Sequence, residues 1–297
     1  MPTIDLPTLF LLTTALLVLM GVMFLVTWAQ DRRGNLAMMH WGVAHLLAVP
    51  GCVLLGLRGQ IPDWASIGAA NLLILLAFGQ LVVGAHAFEG RRAHPLVGFG
   101  GALAWLIATQ IPLVWEVVAH RVAFVSGTIA CHAAVTARLF HLGQRQEPLP
   151  SRRIAVGLLG LIGLTHAVRI GLTLFGPAGD GSYATLGSGW VAFVAVQMVL
   201  QSLLLGFVLV SMVKERAEDR QRRAAEIDGL TGVLTRRAFR DRAAARLEAD
   251  ASRGALLIFD LDRFKTINDT HGHLAGDRVL AAFAGVVSRR IGTDDVF

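Results

Sequence analysis

Leu257-Ile-Phe-Asp-Leu-Asp-Arg-Phe-Lys-Thr-Ile-Asn-Asp-Thr-His-Gly-His-Leu-Ala-Gly-Asp277 is the stretch on which the reading of this 297-residue chain turns. It opens inside a short apolar run, Ala255 to Asp260, suited to a buried strand. An acid at the end of such a strand faces the cleft where α/β folds bind ligands. Gly272 and Gly276 then punctuate a turn after a short helix. From Gly276 to Arg290 the pattern is that of an amphipathic helix, with Val279, Leu280, Phe283, Val286 and Val287 on one side. Upstream, Arg236 to Asp250 is rich in Arg, Ala and Glu and predicts another helix, and Gly254 separates it from the strand.

From Asp228 onward this segment resembles the GGDEF family of diguanylate cyclases. Two motifs carry the resemblance. Asp228-Gly-Leu-Thr-Gly-Val-Leu-Thr-Arg-Arg-Ala-Phe239 is like the family's opening D-x-L-T-G-L-x-N-R-R-x-F. The stretch quoted above follows D-[IL]-D-x-F-K-x-I-N-D-x-x-G-H-x-x-G-D. The resemblance covers residues 228–297, the first half of such a domain. It implies an α/β nucleotide-cyclase-like fold and the joining of two GTP molecules into cyclic di-GMP with release of pyrophosphate. It implies Mg²⁺ as cofactor, held by the Asp260 carboxylate and the Leu261 backbone carbonyl. It gives Lys265 a catalytic place at the phosphates beside Asp260, and the backbone amides of Arg263 and Phe264 a share in cradling the charge. Asn268 and Asp277 match the pair that reads guanine. Outside the family an Asn or Asp beside a helix turn is more often a cap.

The pentapeptide Gly-Gly-Asp-Glu-Phe does not occur in the chain. The expectation is therefore a domain cut short before its signature hairpin, with the second half of the catalytic domain lacking and this chain itself inactive. The family's product-inhibition motif, R-x-x-D, aligns with residues 292–295, where Gly292 stands in the arginine's place, so no inhibitory site of that kind is expected.

Ahead of this segment lies Lys214-Glu-Arg-Ala-Glu-Asp-Arg-Gln-Arg-Arg-Ala-Ala-Glu226, which holds strong helix formers and no Gly or Pro. Val210, Val213, Ala217, Arg220, Ala224 and Ile227 recur at 3, 4, 3, 4, 3. That is a heptad seam, read either as a solvated helix or as a parallel two-stranded stalk making a homodimer.

The rest of the chain is apolar. Of all residues 54% are hydrophobic and the mean hydropathy is +0.58, beyond what a soluble domain of this size carries. A span needs ~20 apolar residues. Seven runs qualify, at 7–29, 36–57, 64–88, 95–115, 121–142, 154–175 and 188–212. The first lacks a positive leader and is too long for a signal peptide. The expected architecture is an α-helical membrane bundle of about seven transmembrane helices (residues 1–212), a coiled-coil stalk (213–227) and an incomplete α/β GGDEF domain (228–297).

Seven spans with a cytoplasmic C-terminus place Arg32, Arg33, Arg91, Arg92, Arg145, Arg152 and Arg153 inside. Arg58 and Arg121 then lie outside, beside Asp5, Asp63, Glu116 and Asp180. Seven basic residues against two is the asymmetry of the positive-inside rule, and it predicts a multi-pass protein of the inner (cytoplasmic) membrane in contact with lipid. The net charge of +6 is spread over short loops and the C-terminal segment and does not indicate a nucleic-acid partner.

Eight of the ten histidines lie in the apolar part: His40, His45, His86, His94, His120, His132, His141 and His166. They read as ligands, as proton sensors, or as helix-end and interhelical hydrogen-bonding residues. His166 and Arg169, three apart, are the best candidates for a polar pocket. Pro50 and Pro112 are expected to kink their spans, and Gly98 and Gly101 to allow close helix packing. Cys52 and Cys131 read as small buried hydrophobes.

The function that fits is a membrane-bound diguanylate cyclase in signal transduction. Two alternatives are a non-catalytic receptor with a degenerate or truncated GGDEF domain, and a transporter. The retained Asp260, Lys265, Asn268 and Asp277 speak against degeneracy, and no paired halves speak for a transporter.

Overall fold

The computed structural model describes residues 6–30, 35–175, 187–249, 255–292 and 295–297. Arg32, Arg33, Asp5, Asp180, Asp250 and Gly254, used in the reading above, lie outside these residues. Two compact units divide the chain, Met1–Glu215 and Arg216–Phe297.

The first unit is helical. Its elements are α1 (Leu6–Gln30), α2 (Leu36–Gly56), a wide π turn (Trp64–Ala69) running into α3 (Ala70–Phe88), α4 (Pro95–Ala108), the short α5 (Pro112–Glu116), α6 (Val118–Gly143) and α7 (Pro150–Phe175). Helix α8 (Gly187–Ala224) begins in this unit and runs past its boundary. Successive helices pack in pairs, α1 on α2, α2 on α3 and α6 on α7, and α3 also packs on α4 and α6. Met38, Trp41, Leu75, Trp105 and Phe140 form its centre, each almost fully buried. Leu11, Leu12, Leu106, Ile107, Leu161 and Leu164 point outward. An apolar exterior around an apolar core is what a helix bundle in lipid shows.

Six helical stretches among the described residues are long and apolar enough to cross a membrane, not the seven expected. The expected fourth span, 95–115, is broken. Helix α4 stops at Ala108, only 14 residues after it starts, or about 21 Å against a ~30 Å hydrocarbon core. Pro112 supplies no N–H and disfavours helical backbone in the residue before it. Ile111 is accordingly extended (φ −93°, ψ 113°), and a five-residue helix follows. Arg121 and His120 tie that helix to α6, donating to the carbonyls of Trp115 at 2.6 Å and Leu113 at 2.8 Å. Pro50, by contrast, stays inside α2.

Close approaches set the packing. A Cβ on Gly79 of α3 would overlap the Gly98 carbonyl of α4. A Cβ on Gly101 would lie 2.5 Å from Thr128 Cγ2 and 2.8 Å from His132 Cε1 on α6. The Trp105 indole donates to the Gly68 carbonyl at 2.9 Å, an acceptor within the wide turn. Neither cysteine is fully buried: Cys52 is half-buried and Cys131 exposed, because its face of α6 turns outward.

Arg152 was counted as a loop charge, but its side chain is fully buried as an early residue of α7. It pairs with Glu89 at 3.1 Å and Glu147 at 3.4 Å, donates to the Glu147 carbonyl at 2.7 Å, and lies 5.5 Å from the Phe88 ring centre. Beside it, the Ser151 hydroxyl and N–H donate to the Glu215 carboxylate of α8, the hydroxyl at 2.6 Å.

The second unit contains the end of α8, then α9 (Arg236–Ala249), α10 (Phe264–His271) and α11 (His273–Ser288). The expected strand is not formed. Residues 255–261 carry no pairing, and Leu256, Leu257 and Ile258 are each more than 70% exposed. A strand exists through ladder bonds to a neighbour, and no described segment lies alongside this one. A single antiparallel bridge, Ile227 with Leu234, represents β pairing in the described part of this unit.

The heptad seam divides at the unit boundary. Val213 is buried and Val210 half-buried in the first unit's core, whereas Ala217, Arg220 and Ala224 are exposed.

Candidate functional site

Asp228 opens the second unit's conserved-looking geometry with a tight loop. Its Oδ1 accepts from the Thr231 hydroxyl at 2.7 Å, the Thr231 N–H at 2.9 Å and the Leu230 N–H at 3.2 Å. The Thr231 side-chain bond, followed by the backbone bonds, holds the Asp228 carboxyl below its ordinary range. Gly232 takes φ +71°, which a residue with a side chain rarely adopts. Asp228 N–H then donates to Val233 at 2.8 Å and Thr235 N–H to Glu226 at 2.7 Å, closing the turn from α8 into α9. Arg242 of α9 reaches back to Glu226 at 2.7 Å. The sequence placed Asp228 and Thr231 in a motif without a role; their spacing of three was the available signal for a side-chain-capped turn.

Asp260 is exposed at the end of the unpaired run, and Lys265 is exposed on α10. Between them Arg263 holds a left-handed conformation, φ 55° and ψ 27°, as the residue capping α10. Left-handed backbone at a side-chain-bearing residue is uncommon and concentrates at functional turns. The Phe264 amide donates to the Leu261 carbonyl at 3.3 Å, so this one of the two amides expected to cradle phosphate is engaged in the turn. The ring of Phe259, next to Asp260, sits 5.8 Å from Phe283 of α11 at 70°. That contact anchors the carboxylate-bearing segment on the helix pair.

Asn268 and Asp277 lie on α10 and α11, which pack together. Gly272 joins them at φ +79°, and its N–H donates to the Asn268 carbonyl at 2.8 Å. The Asn268 side chain lies against Gly276: a Cβ there would overlap Asn268 Oδ1 and come within 3.2 Å of the Phe264 ring. Gly276 therefore lets the Asn268 amide reach the residue beside Asp277. Asn268 and Asp277 are half-buried. The arrangement brings an amide and a carboxylate to one helix junction, with Asp260 and Lys265 on the chain leading into it. No three His, Cys, Asp or Glu side chains converge among the described residues to hold a metal. The oxygens at hand, the Asp260 carboxylate and the adjacent Leu261 carbonyl, are hard donors of the type Mg²⁺ accepts while keeping waters and phosphate oxygens in its other positions.

Residues 225–297 match the family described as diguanylate cyclase, GGDEF domain. An uncharacterized signaling protein of Caulobacter vibrioides is 46% identical over 85 residues, 27% of this chain and 10% of that protein. The diguanylate cyclase DgcP of Pseudomonas aeruginosa is 43% identical over 74 residues, 24% of this chain and 11% of that protein. The cyclic di-GMP phosphodiesterase PdeB of Shewanella oneidensis is 35% identical over 83 residues, 28% of this chain and 10% of that protein. The chain thus spans about a tenth of the length of these relatives. No solved structure matches it.

Proposed function

We propose that this protein, of the GGDEF family through residues 225–297, is a membrane-bound cyclic di-GMP signalling protein of the diguanylate cyclase type. The observation that carries the proposal is the seating of Asn268 against Gly276, beside Asp277, at the α10–α11 junction. There an amide and a carboxylate present the donors and acceptor that a guanine edge requires. Asp260 and Leu261 hold Mg²⁺, which neutralises phosphate charge when bound. Lys265 meets the phosphates as a point charge, and the Arg263 amide, with that of Phe264, lines their approach. In turnover two GTP molecules meet across a dimer. The 3′ oxygen of one forms a bond to the α-phosphorus of the other, the bond to pyrophosphate breaks, and repetition closes the ring. Positioning supplies most of the rate in such transfers. The exposed part of α8, with Ala217, Arg220 and Ala224, is the homodimer seam.

The six apolar helices support placement in the inner membrane, with the GGDEF segment in the cytoplasm where GTP is found. A second reading, a receptor that binds nucleotide without turning it over, is favoured by the exposed Asp260 and by the lack of a converging metal cluster among the described residues. Calorimetric titration of the purified chain with GTP and with ATP in Mg²⁺ tests the shared premise. GTP should bind at least ten-fold tighter, and Asn268→Ala or Asp277→Ala should abolish that preference. Equal affinity for both nucleotides in the unaltered chain overturns the guanine site. Chromatography for cyclic di-GMP in the same mixtures separates cyclase from receptor.

A further inference from the structure

Buried polar atoms in a helical bundle ordinarily find partners. The histidines mostly do so here. Nδ1 of His45, His86 and His132 donates to the carbonyl four residues earlier, at 2.7, 3.0 and 2.9 Å, and His40 meets Gln80 across helices at 2.9 Å. Ser126 Oγ, His166 Nδ1 and Gln201 Nε2 have no partner among the described residues, although all three side chains are more than nine-tenths buried.

These three atoms belong to three helices, α6, α7 and α8, and helical register brings them to one depth. A small cavity in the bundle is lined by Trp41, Ala133, Phe140, Ile162 and Leu205, among others. His166 lies four residues beyond Ile162 on the same face of α7, about 6 Å along the axis. Gln201 lies four residues before Leu205 on α8, again about 6 Å. The Ser151–Glu215 bonds tie the start of α7 to α8, so the two helices run in opposite senses and both displacements point the same way. Ser126 precedes Ala133 by seven residues on α6, about 10 Å in that same direction, because α6 and α7 form a hairpin. The three atoms therefore stand within about 5 Å of one level, one to two turns from an apolar hole. The polar residues lining the hole do not satisfy them: His132 Nδ1 and Thr136 Oγ1 bond within α6.

We propose that this level of the bundle is a ligand site for the carbonyl-bearing end of a lipid-soluble acyl compound. A hydroxyl, an imidazole nitrogen and a carboxamide N–H₂ can all donate to one carbonyl or carboxyl oxygen. The hole has room for about one water molecule, which fits a narrow chain and excludes a ring system. Leu161, Leu164 and Val168 on the outer face of α7 leave the rest of an acyl chain an apolar path. The site gives the membrane half a ligand and does not depend on the nucleotide reading.

Thermal unfolding of the purified full chain in detergent, followed by circular dichroism, tests it without any turnover. The probes are decanoic acid, methyl decanoate and decane. At least one of the oxygen-bearing probes should raise the melting temperature and decane should not. A shift with the acid alone points to free fatty acid; a shift with both points to any acyl carbonyl, membrane lipid included. Ser126→Ala and Gln201→Leu should each melt at or above the unaltered chain in the absence of probe, since each removes an orphaned buried donor, and each should lose at least half of the probe-induced shift. Ser126→Ala, a loss of one oxygen, carries the test if Gln201→Leu fails to fold. No shift with either oxygen-bearing probe, an equal shift with decane, or an undiminished shift in Ser126→Ala overturns the proposal.

Discussion

Arg152 Nη2 lies 3.1 Å from Glu89 Oε1, with the arginine side chain fully buried and the glutamate 9% exposed. The two residues are 63 positions apart, and their pairing joins the end of α3 to the start of α7. Removing one partner from a buried pair leaves the other charge uncompensated, which costs about 3 kcal/mol or more. Glu89→Ala should therefore lower the stability of the bundle by about that much, measured by chemical denaturation in detergent. Glu147 keeps part of the compensation, so Glu89→Ala with Glu147→Ala should cost more than either alone. Equal stability of all three variants would show that the pair is solvated.

Ser151 and Glu215 fasten α8 at the last residue of the first unit. A carboxylate accepting from a helix's first turn is charge-assisted and favoured by the helix dipole. Glu215→Ala should cost about 2 kcal/mol and Ser151→Ala about 1 kcal/mol. A double-mutant cycle should return a coupling energy, and strict additivity would place the two side chains apart.

Gly276→Ala puts a methyl group where Asn268 Oδ1 now lies. Overpacking of that kind costs about 1–3 kcal/mol. The expected result is a lower melting temperature of the second unit together with a several-fold loss of GTP affinity. Unchanged affinity would separate Asn268 from the nucleotide.

The Asp228 carboxyl is held below its ordinary value of 3.8 by the bonds from Thr231 and Leu230. A depressed carboxyl contributes stability in full above the unfolded value and loses it as pH falls through the folded one. The loop into α9 should therefore be tight at pH 5 and above and loosen on acidification below about pH 4. Asp228→Asn should flatten that dependence. Fluorescence from a probe attached at residue 229 reports it, and a flat profile in the unaltered chain would count against the bonds.

Ala217 and Ala224 are exposed, whereas Val213 is packed in the first unit's core. Charges at Ala217 and Ala224 should lower inter-chain crosslinking and leave the melting temperature unchanged. A charge at Val213 should unfold the bundle and says nothing about dimerisation. Undiminished crosslinking of Ala217→Glu with Ala224→Glu would remove the seam.

Span positions were legible because spanning is a matter of length and apolar content. The expected runs at 36–57 and 64–88 coincide with α2 and the wide turn plus α3 to within a residue. The run at 95–115 was misjudged because summed hydropathy is blind to the stop at Pro112. The strand at 255–260 was read from composition alone, and composition does not provide the neighbour that a strand needs. The site was legible where its residues are close in sequence, as Asn268, Gly276 and Asp277 are. Arg152 with Glu89, and the orphaned trio on α6, α7 and α8, depend on which helix faces which, and no local pattern encodes that.

The wide turn at Trp64–Ala69 governs how this chain tolerates changes in length. It holds one residue more than ordinary winding would need. Deleting a residue there would restore regular coiling and swing all of α3 by about 100° around its own axis. The bare α-carbon of Gly79 would leave Gly98, a residue with a bulky side chain would replace it, and the Trp105 indole would lose its acceptor. That short segment therefore acts as a phase setting: its residues could be exchanged for many others, but their number could not.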